Sequence, residues 1–319
     1  MGKLVGEAPS FRAVVQRLPV LSRSDATVLL SGETGTGKEL VARAIHYLSG
    51  RSRDAFTAVN CGSLPDGLLE DEFFGHARGA YTDARTARAG LLRRAHGGTL
   101  FLDEVDALTP RAQVALLRVL QDRSYRALGS SDEQHVDVRV VAATNTDLWD
   151  LVEQHTFRSD LFYRLSVLTV TLPPLRERID DILPLAYHFL LKFAGESGTI
   201  RFASESKAAL LRHPWPGNVR ELENAVLRGV SLCEDGVIRA DDLGLRARAT
   251  PVRAPAVEPE RVIDLSRPYS DLKRETLVRF ERDYLARLLS SCGGNVSQAA
   301  RQAGKERRDF RRLLRKHAI

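Results

Sequence analysis

The chain has only three cysteines in 319 residues, Cys61, Cys233 and Cys292, far apart and odd in number. Such sparse, unpaired spacing excludes a disulfide framework and offers no zinc-ligand pattern, which fits a reducing compartment. It also lacks any apolar run long enough to cross a bilayer. The N-terminal MGKLVGEAPS has no apolar signal-peptide core, so a cytoplasmic location without a membrane partner is expected. What remains is ordinary: 43% hydrophobic and 28% charged residues, with length for two or three compact units.

The charge is unevenly placed. Residues 269–319 hold thirteen Lys or Arg against six acids, leaving 34 bases against 35 acids elsewhere. A basic terminal module on a near-neutral body points to nucleic acid.

Apolar, β-rich runs alternate with helical patterns. TVLLS (27–31), FTAVN (56–60), TLFLDE (99–104), VRVVAAT (138–144) and VLTVTL (167–172) read as strands of a mostly parallel, doubly covered sheet. After LPPLRER (172–178) the strand signal stops. Asp180 and Asp181 are placed to cap a helix through about Ala194, and helical segments follow near 204–212 and 218–233. The expected organisation is an α/β nucleotide-binding unit (1–175), a small helical unit (176–245), an Ala, Arg and Pro-rich linker (246–268) and a basic helical tail (269–319).

The chemistry concentrates at GETGTGKE (32–39). Gly32, Gly35 and Gly37 let backbone N–H groups converge on phosphate oxygens at the start of a helix, while Lys38 neutralises the β and γ oxygens. Gly32, Glu33, Thr34, Gly35, Thr36, Gly37, Lys38 and Glu39 form the expected nucleotide-binding set, with Glu39 where Ser or Thr is usual. Asp103, at a strand end, is suited to Mg²⁺, and Glu104 to polarising the attacking water. Asn60 ends a neighbouring strand within expected reach of Glu104, and Asn145 ends a third, facing the γ-phosphate. Arg158 and Arg164 in FRSDLFYRL suit an arginine finger, and Arg220 in WPGNVRELEN opens a helix that can reach phosphate.

Taken together, VLLSGETGTGKELVARAIH, FTAVNC, GGTLFLDEVDAL, QVALLRVLQ, VRVVAATN, FRSDLFYRL, LPPLRER and WPGNVRELEN resemble the AAA+ ATPase domain of bacterial enhancer-binding proteins, the activators of sigma-54 RNA polymerase. The resemblance covers roughly residues 4–245. It implies an AAA+ P-loop fold, with a helical lid and a C-terminal all-α helix-turn-helix module. ATP and Mg²⁺ are the implied cofactors. In that family the eighth residue of the phosphate loop is commonly Glu, so Glu39 is no departure. The resemblance further implies that Asn60 restrains Glu104 as a switch, and that Asn145 lies in the first sensor and Arg220 in the second. Arg158 and Arg164 resemble finger arginines acting on a neighbour's ATP. Fingers in trans require a ring, a hexamer in the family, formed with further copies of the chain or with a related activator.

GAYTDA (79–84) fits neither helical nor strand periodicity. Its counterpart in the family is GAFTGA, a loop that contacts sigma-54. Gly79, Ala80, Tyr81, Thr82, Asp83 and Ala84 are therefore the expected contact to the sigma-54 polymerase holoenzyme. Tyr81 keeps the aromatic tip suited to a partner's apolar groove. Asp83 departs, putting an acid where the family has glycine, although Asp tolerates positive φ better than most residues. That departure keeps open a second reading: a sigma-54-independent DNA-binding regulator whose ATPase controls oligomerisation. A third, an AAA+ unfoldase or helicase loader, leaves GAYTDA and the basic tail without a purpose.

In the tail, Asn295 or Ser297 is placed to cap a helix to about Ala303, and Gly304 suits a turn. Phe310, Leu313, Leu314 and His317 then form one buried stripe. Lys305, Arg307, Arg308, Arg311, Arg312 and Arg315 stand largely off that stripe, as a helix entering a major groove of double-stranded DNA requires. The pattern is similar to the Fis-type module of enhancer-binding proteins, with residues 281–294 as a preceding helix for dimer contact. With the phosphate loop beginning at Gly32, the expectation is that none of the family's sensory domains precedes it. Control by a regulatory partner in trans is the expectation.

Overall fold

The computed structural model describes residues 4–63, 66–81, 84, 86–195, 200–245, 268–291 and 295–317. They form two compact units, Met1–Arg246 and Ala247–Ile319. The expected linker falls almost wholly outside the described residues.

Five strands build the central sheet of the first unit: β1 (Val28–Ser31), β2 (Phe56–Asn60), β3 (Thr99–Asp103), β4 (Arg139–Thr144) and β5 (Leu168–Thr171). All pairings are parallel, in the order β2-β3-β4-β1-β5. With β4 between β3 and β1, the carboxyl ends of these three strands lie together, at the crevice where an open α/β sheet binds ligands.

The helices are α1 (Pro9–Ser22), α2 (Lys38–Tyr47), α3 (Asp66–Phe74), α4 (Leu91–Arg94), α5 (Pro110–Asp122), α6 (Leu148–Glu153) and α7 (Ser159–Leu165). Residue alternation explains how both sheet faces are covered. Phe101, Val141 and Val170 pack with Val14, Leu18, Val41 and Ile45 of α1 and α2. Leu100, Leu102 and Ala142 pack with Leu116 of α5 and Leu161 and Leu165 of α7. Arg139 is fully buried, and its guanidinium donates to Leu21 O and Ser22 O at the C-terminal end of α1, where a helix presents unpaired carbonyls.

The lid comprises α8 (Ile182–Ala194), α9 (Ser204–Arg212) and α10 (Asn218–Leu232). Asp181 does not cap α8 through its side chain as the sequence suggests. Its fully buried carboxylate accepts instead from the backbone N–H groups of Glu7 and Ala8, tying the N-terminal segment to the lid junction. The competing donors come from 174 and 173 residues away, beyond the reach of a local rule.

Trp215 is the largest fully buried side chain and centres the lid core with Leu185, Leu210, Leu222 and Val226. Its indole N–H donates to Leu210 O at 2.9 Å. Trp215→Ala is expected to cost about 3–5 kcal/mol, measured as a lowered midpoint in denaturant unfolding. An unchanged midpoint would show that the lid does not depend on this packing.

In the second unit, α11 (Tyr269–Ser291), α12 (Val296–Gln302) and α13 (Arg307–Lys316) enclose a small core of Leu285, Ala299, Ala300, Phe310 and Leu314. Asn295 caps α12 by accepting from Ser297 N and Gln298 N. Gly304 turns the chain at φ +61. Phe310, Leu314 and His317 are buried as the stripe predicts, and Leu313 packs against them. α11 begins at Tyr269, twelve residues before the expected helix. Glu281 on α11 accepts from Lys316 Nζ (3.1 Å) and pairs with His317 Nε2 (2.7 Å), joining α11 to α13.

Candidate functional site

The phosphate loop lies between β1 and α2. Gly32, Gly35 and Gly37 have φ of +145, +80 and +101, a conformation closed to ordinary side chains, so here glycine is required. Lys38 is the first residue of α2 and is buried; its ammonium donates to Gly32 O (2.7 Å) and Glu33 O (3.2 Å). Burial lowers its pKa, opposed by the charges of Asp103, Asp106 and Glu104. Burial likewise raises the Asp103 carboxyl, opposed by Lys38. The two opposite charges therefore face one another at the sheet's carboxyl edge.

Asp103 Oδ1 accepts from Glu104 N at 3.1 Å. Glu104 itself sits at φ 55, ψ 50, a left-handed conformation that turns its side chain off the strand end. A Cβ on Gly62 would lie 2.7 Å from Glu104 Oε2, so the small residue at 62 leaves that carboxylate its place. Asn60 Oδ1 takes the backbone N–H of Gly62 at 2.9 Å. The expected Asn60–Glu104 bond, which Asn60 Nδ2 would donate, is not among the hydrogen bonds of the described residues. Asn145 Nδ2 donates to Thr34 Oγ1 at 3.2 Å, bringing the end of β4 to the loop apex.

Glu39 turns to the exposed side of α2, where Arg43 holds it through two nitrogens at 2.7 and 2.9 Å. Arg220 is exposed on the first turn of α10, close enough for its charge to act on Lys38. A cavity of about 70 Å³ beside Thr36 and Gly37 is lined by Val5, Phe11, Leu40, Leu185, Phe189 and Val219, an apolar cradle next to the phosphate loop. Arg178 closes it: its guanidinium lies 4.8 Å from the Phe11 ring centroid and donates to Thr36 O at 2.9 Å.

Three partners here were not singled out from sequence. Arg176 pairs with Glu33 through two bonds (2.6 and 2.8 Å), and Asn218 donates to the same carboxylate at 3.0 Å. These two, Arg176 foremost, hold Glu33 below the usual carboxylate range. Gln113 is buried and accepts from Arg158 N (2.9 Å) while donating to Leu108 O and Thr156 O. LPPLRER, GNVREL and QVALLRVLQ were each visible as motifs, but the roles of these residues depend on elements distant in sequence.

Arg158 caps no helix with its side chain; the guanidinium pairs with Asp160 at 2.7 Å and is exposed. Arg164 is also exposed. Neither has a hydrogen bond to the phosphate loop of its own chain among the described residues.

Around 79–84, Gly79 N donates to Ala84 O (2.8 Å) and Ala84 N to Tyr81 O (3.0 Å), closing a tight loop. Tyr81 is 47% exposed and meets the His76 ring edge-on at 5.0 Å. Thr82 and Asp83 lie outside the described residues. His76 is buried beneath the loop, with Nδ1 2.6 Å from Asp71 Oδ1 and Nε2 2.9 Å from Thr86 O. Leu128 braces the base from the hairpin of Ser124–Arg126 and Glu133–His135, accepting from Ala77 N and donating to Gly75 O.

Cys61 lies directly beside this site. Burial first, and then the charges of Asp103, Asp106 and Glu104, push its thiol up to about 12. At pH 8 the thiolate fraction is then about 10⁻⁴. Cys61 is expected to resist a thiol reagent in the native protein and to react on unfolding; peptide mapping that finds it labelled natively at the rate of Cys233 would contradict this.

Comparison with known proteins agrees with the geometry. Residues 4–171 match the Sigma-54 interaction domain family, and residues 176–259 the AAA+ ATPase lid domain. The transcriptional regulatory protein ZraR of Klebsiella oxytoca is 43% identical over 96% of this chain and 67% of its own length. The sigma54-dependent transcriptional activator SfnR of Pseudomonas putida is 48% identical over 76% of this chain and 66% of its own. The chain thus spans about two thirds of these relatives. The crystal structure of NtrX from Brucella abortus in complex with ATP superposes with a TM-score of 0.72 at 33% identity, covering 99% of this chain and 70% of that one. Among the described residues no helix is long and apolar enough to cross a membrane.

Proposed function

The chain belongs to the Sigma-54 interaction domain family and carries an AAA+ ATPase domain with its lid; from that premise we propose that it is a sigma-54-dependent transcriptional activator. ATP hydrolysis by a ring of protomers remodels the closed promoter complex of sigma-54 polymerase into an open one. The observation that carries this reading is the meeting of Lys38, Asp103, Glu104 and Asn145 at one sheet edge, in a chain that also presents Tyr81 on a braced loop.

In the proposed reaction a water attacks the γ-phosphorus in line, and the bond to the β-bridging oxygen breaks with its electron pair on ADP. Glu104 accepts the water's proton, and Lys38 and the loop N–H groups neutralise the phosphates. Among the described residues no cluster of three His, Cys, Asp or Glu can hold a metal by itself. Asp103 would hold Mg²⁺ together with the nucleotide's own phosphates, and the ion would supply neutralisation of charge on those oxygens. Arg220 reaches phosphate from the lid. Arg158 and Arg164 serve the ATP of the neighbouring protomer, a hexamer being the assigned ring.

The second unit is assigned to DNA. Lys305, Arg307, Arg308, Arg311, Arg312 and Arg315 are all exposed, on and just before α13, while its apolar stripe is buried. This is the distribution of a recognition helix in a major groove. Leu277, Phe280 and Tyr284 are exposed on α11 and suit contact with a second copy.

Asp83 favours the second reading, a DNA-binding regulator independent of sigma-54. In vitro transcription from a sigma-54 promoter decides between them. Open complexes with ATP, but not with a non-hydrolysable analogue, support the activator. No open complexes from the parent or from Asp83→Gly, with ATPase activity intact, would transfer support to the regulator.

A further inference from the structure

The lid helix α10 does not merely lie over the phosphate loop; it is hydrogen-bonded to the loop apex. Gly35 O accepts from Val219 N at 2.9 Å, so a phosphate-loop carbonyl satisfies one of the unpaired first-turn donors of the lid helix. Gly35 must be glycine for this approach: a Cβ there would collide with Gly217 O.

Asn218 stands at the junction. It is fully buried and held at φ +53, a left-handed conformation that Asn tolerates. Its carbonyl Oδ1 accepts from Leu175 N (2.7 Å), in the segment that leads from β5 into the lid. Its amide Nδ2 donates to Thr34 O (3.1 Å) and Glu33 Oε2 (3.0 Å). Both amide protons are therefore used, and three segments distant in sequence meet on one side chain. Glu33 is gripped from the hinge by Arg176, and Thr34 receives Asn145 from β4.

We propose that Asn218 is a positioning residue for nucleotide hydrolysis: it pins the apex of the phosphate loop to the lid hinge, so that the lid's position sets the loop that grips phosphate. The proposal rests on the ATPase reading of the loop. A buried amide makes a stiff pin because releasing its bond to Leu175 N strands a buried backbone donor. Lid rotation then cannot occur without shifting Glu33 and Thr34, and Thr34 carries the shift to Asn145.

The test uses the full chain and steady-state ATP hydrolysis. Asn218→Gly keeps the left-handed backbone and removes the amide; it is expected to raise the KM for ATP about tenfold with a smaller loss in kcat. Asn218→Asp keeps the acceptor for Leu175 but sets a second carboxylate against Glu33, and is expected to bind ATP more weakly still. Adding Glu33→Gln restores a donor facing an acceptor, so N218D/E33Q should recover part of the KM lost by N218D. A role confined to fold stability would lower the melting temperature without this rescue. KM and kcat of N218G and N218D within about twofold of the parent, or a double variant no better than N218D, overturn the proposal. Should N218G fail to fold, the comparison of N218D with N218D/E33Q decides alone. Failure of the parent itself to hydrolyse ATP would instead strike the ATPase reading.

Discussion

Glu104→Gln is expected to slow ATP hydrolysis by about 10²–10⁴-fold while leaving the KM for ATP little changed. The carboxylate is placed by an unusual backbone: a non-glycine residue at φ 55 directly after a parallel strand. That turn takes the side chain away from Asp103, whose own Oδ1 is engaged by the Glu104 N–H, and toward the space over Gly62. Glutamine preserves shape and fills the same volume but cannot accept the water's proton, so the loss falls on kcat. Gly62→Ala provides a second route to the same carboxylate. The added methyl would need the place 2.7 Å from Glu104 Oε2 and would displace the flexible acid rather than the backbone. A kcat for Glu104→Gln within about threefold of the parent would remove Glu104 from the proton-transfer role.

Arg158→Ala and Arg164→Ala should each lower kcat, by as much as about 10³–10⁵-fold for a true finger, with nucleotide affinity nearly retained. Arg158 is anchored at its backbone by buried Gln113, and among the described residues its guanidinium is tethered only by the exposed carboxylate of Asp160. It is therefore poised at low cost to exchange Asp160 for a phosphate. An exposed ion pair of this kind contributes little stability, so loss of Arg158 should not unfold the chain. A neighbour's finger makes a further demand. Mixing Arg158→Ala protomers with Glu104→Gln protomers should restore activity above either alone, because intact halves of the site meet at some interfaces. Activity per protomer should also rise with concentration as protomers assemble. Mixtures no more active than their parts, with a concentration-independent rate, would place these arginines outside any shared site.

Much of this site was legible because its parts are local. Glycines, a lysine and a helix start at fixed offsets suffice to form a phosphate loop, and each of the five expected strands appears within one or two residues of its apolar run. The α13 stripe was legible for the same reason, since helical spacing alone brings Phe310, Leu314 and His317 to one side. The misses have a common cause. Asp181 follows the local rule for a helix cap, yet its carboxylate serves Glu7 and Ala8. Gln113 lies unremarked in QVALLRVLQ, yet it accepts from the backbone of Arg158, 45 residues away.

Residue order within short windows thus determined where phosphate chemistry could occur, which runs would be strands, and which face of the tail would be basic. Only the tertiary structure decided the partners: Asn145 with Thr34, Glu33 with Arg176 and Asn218, Gln113 with the backbone of Arg158. The physical reason is that periodicity and turn chemistry act over a few residues, whereas a buried hydrogen bond is chosen by whichever donor the packed core brings within about 3 Å.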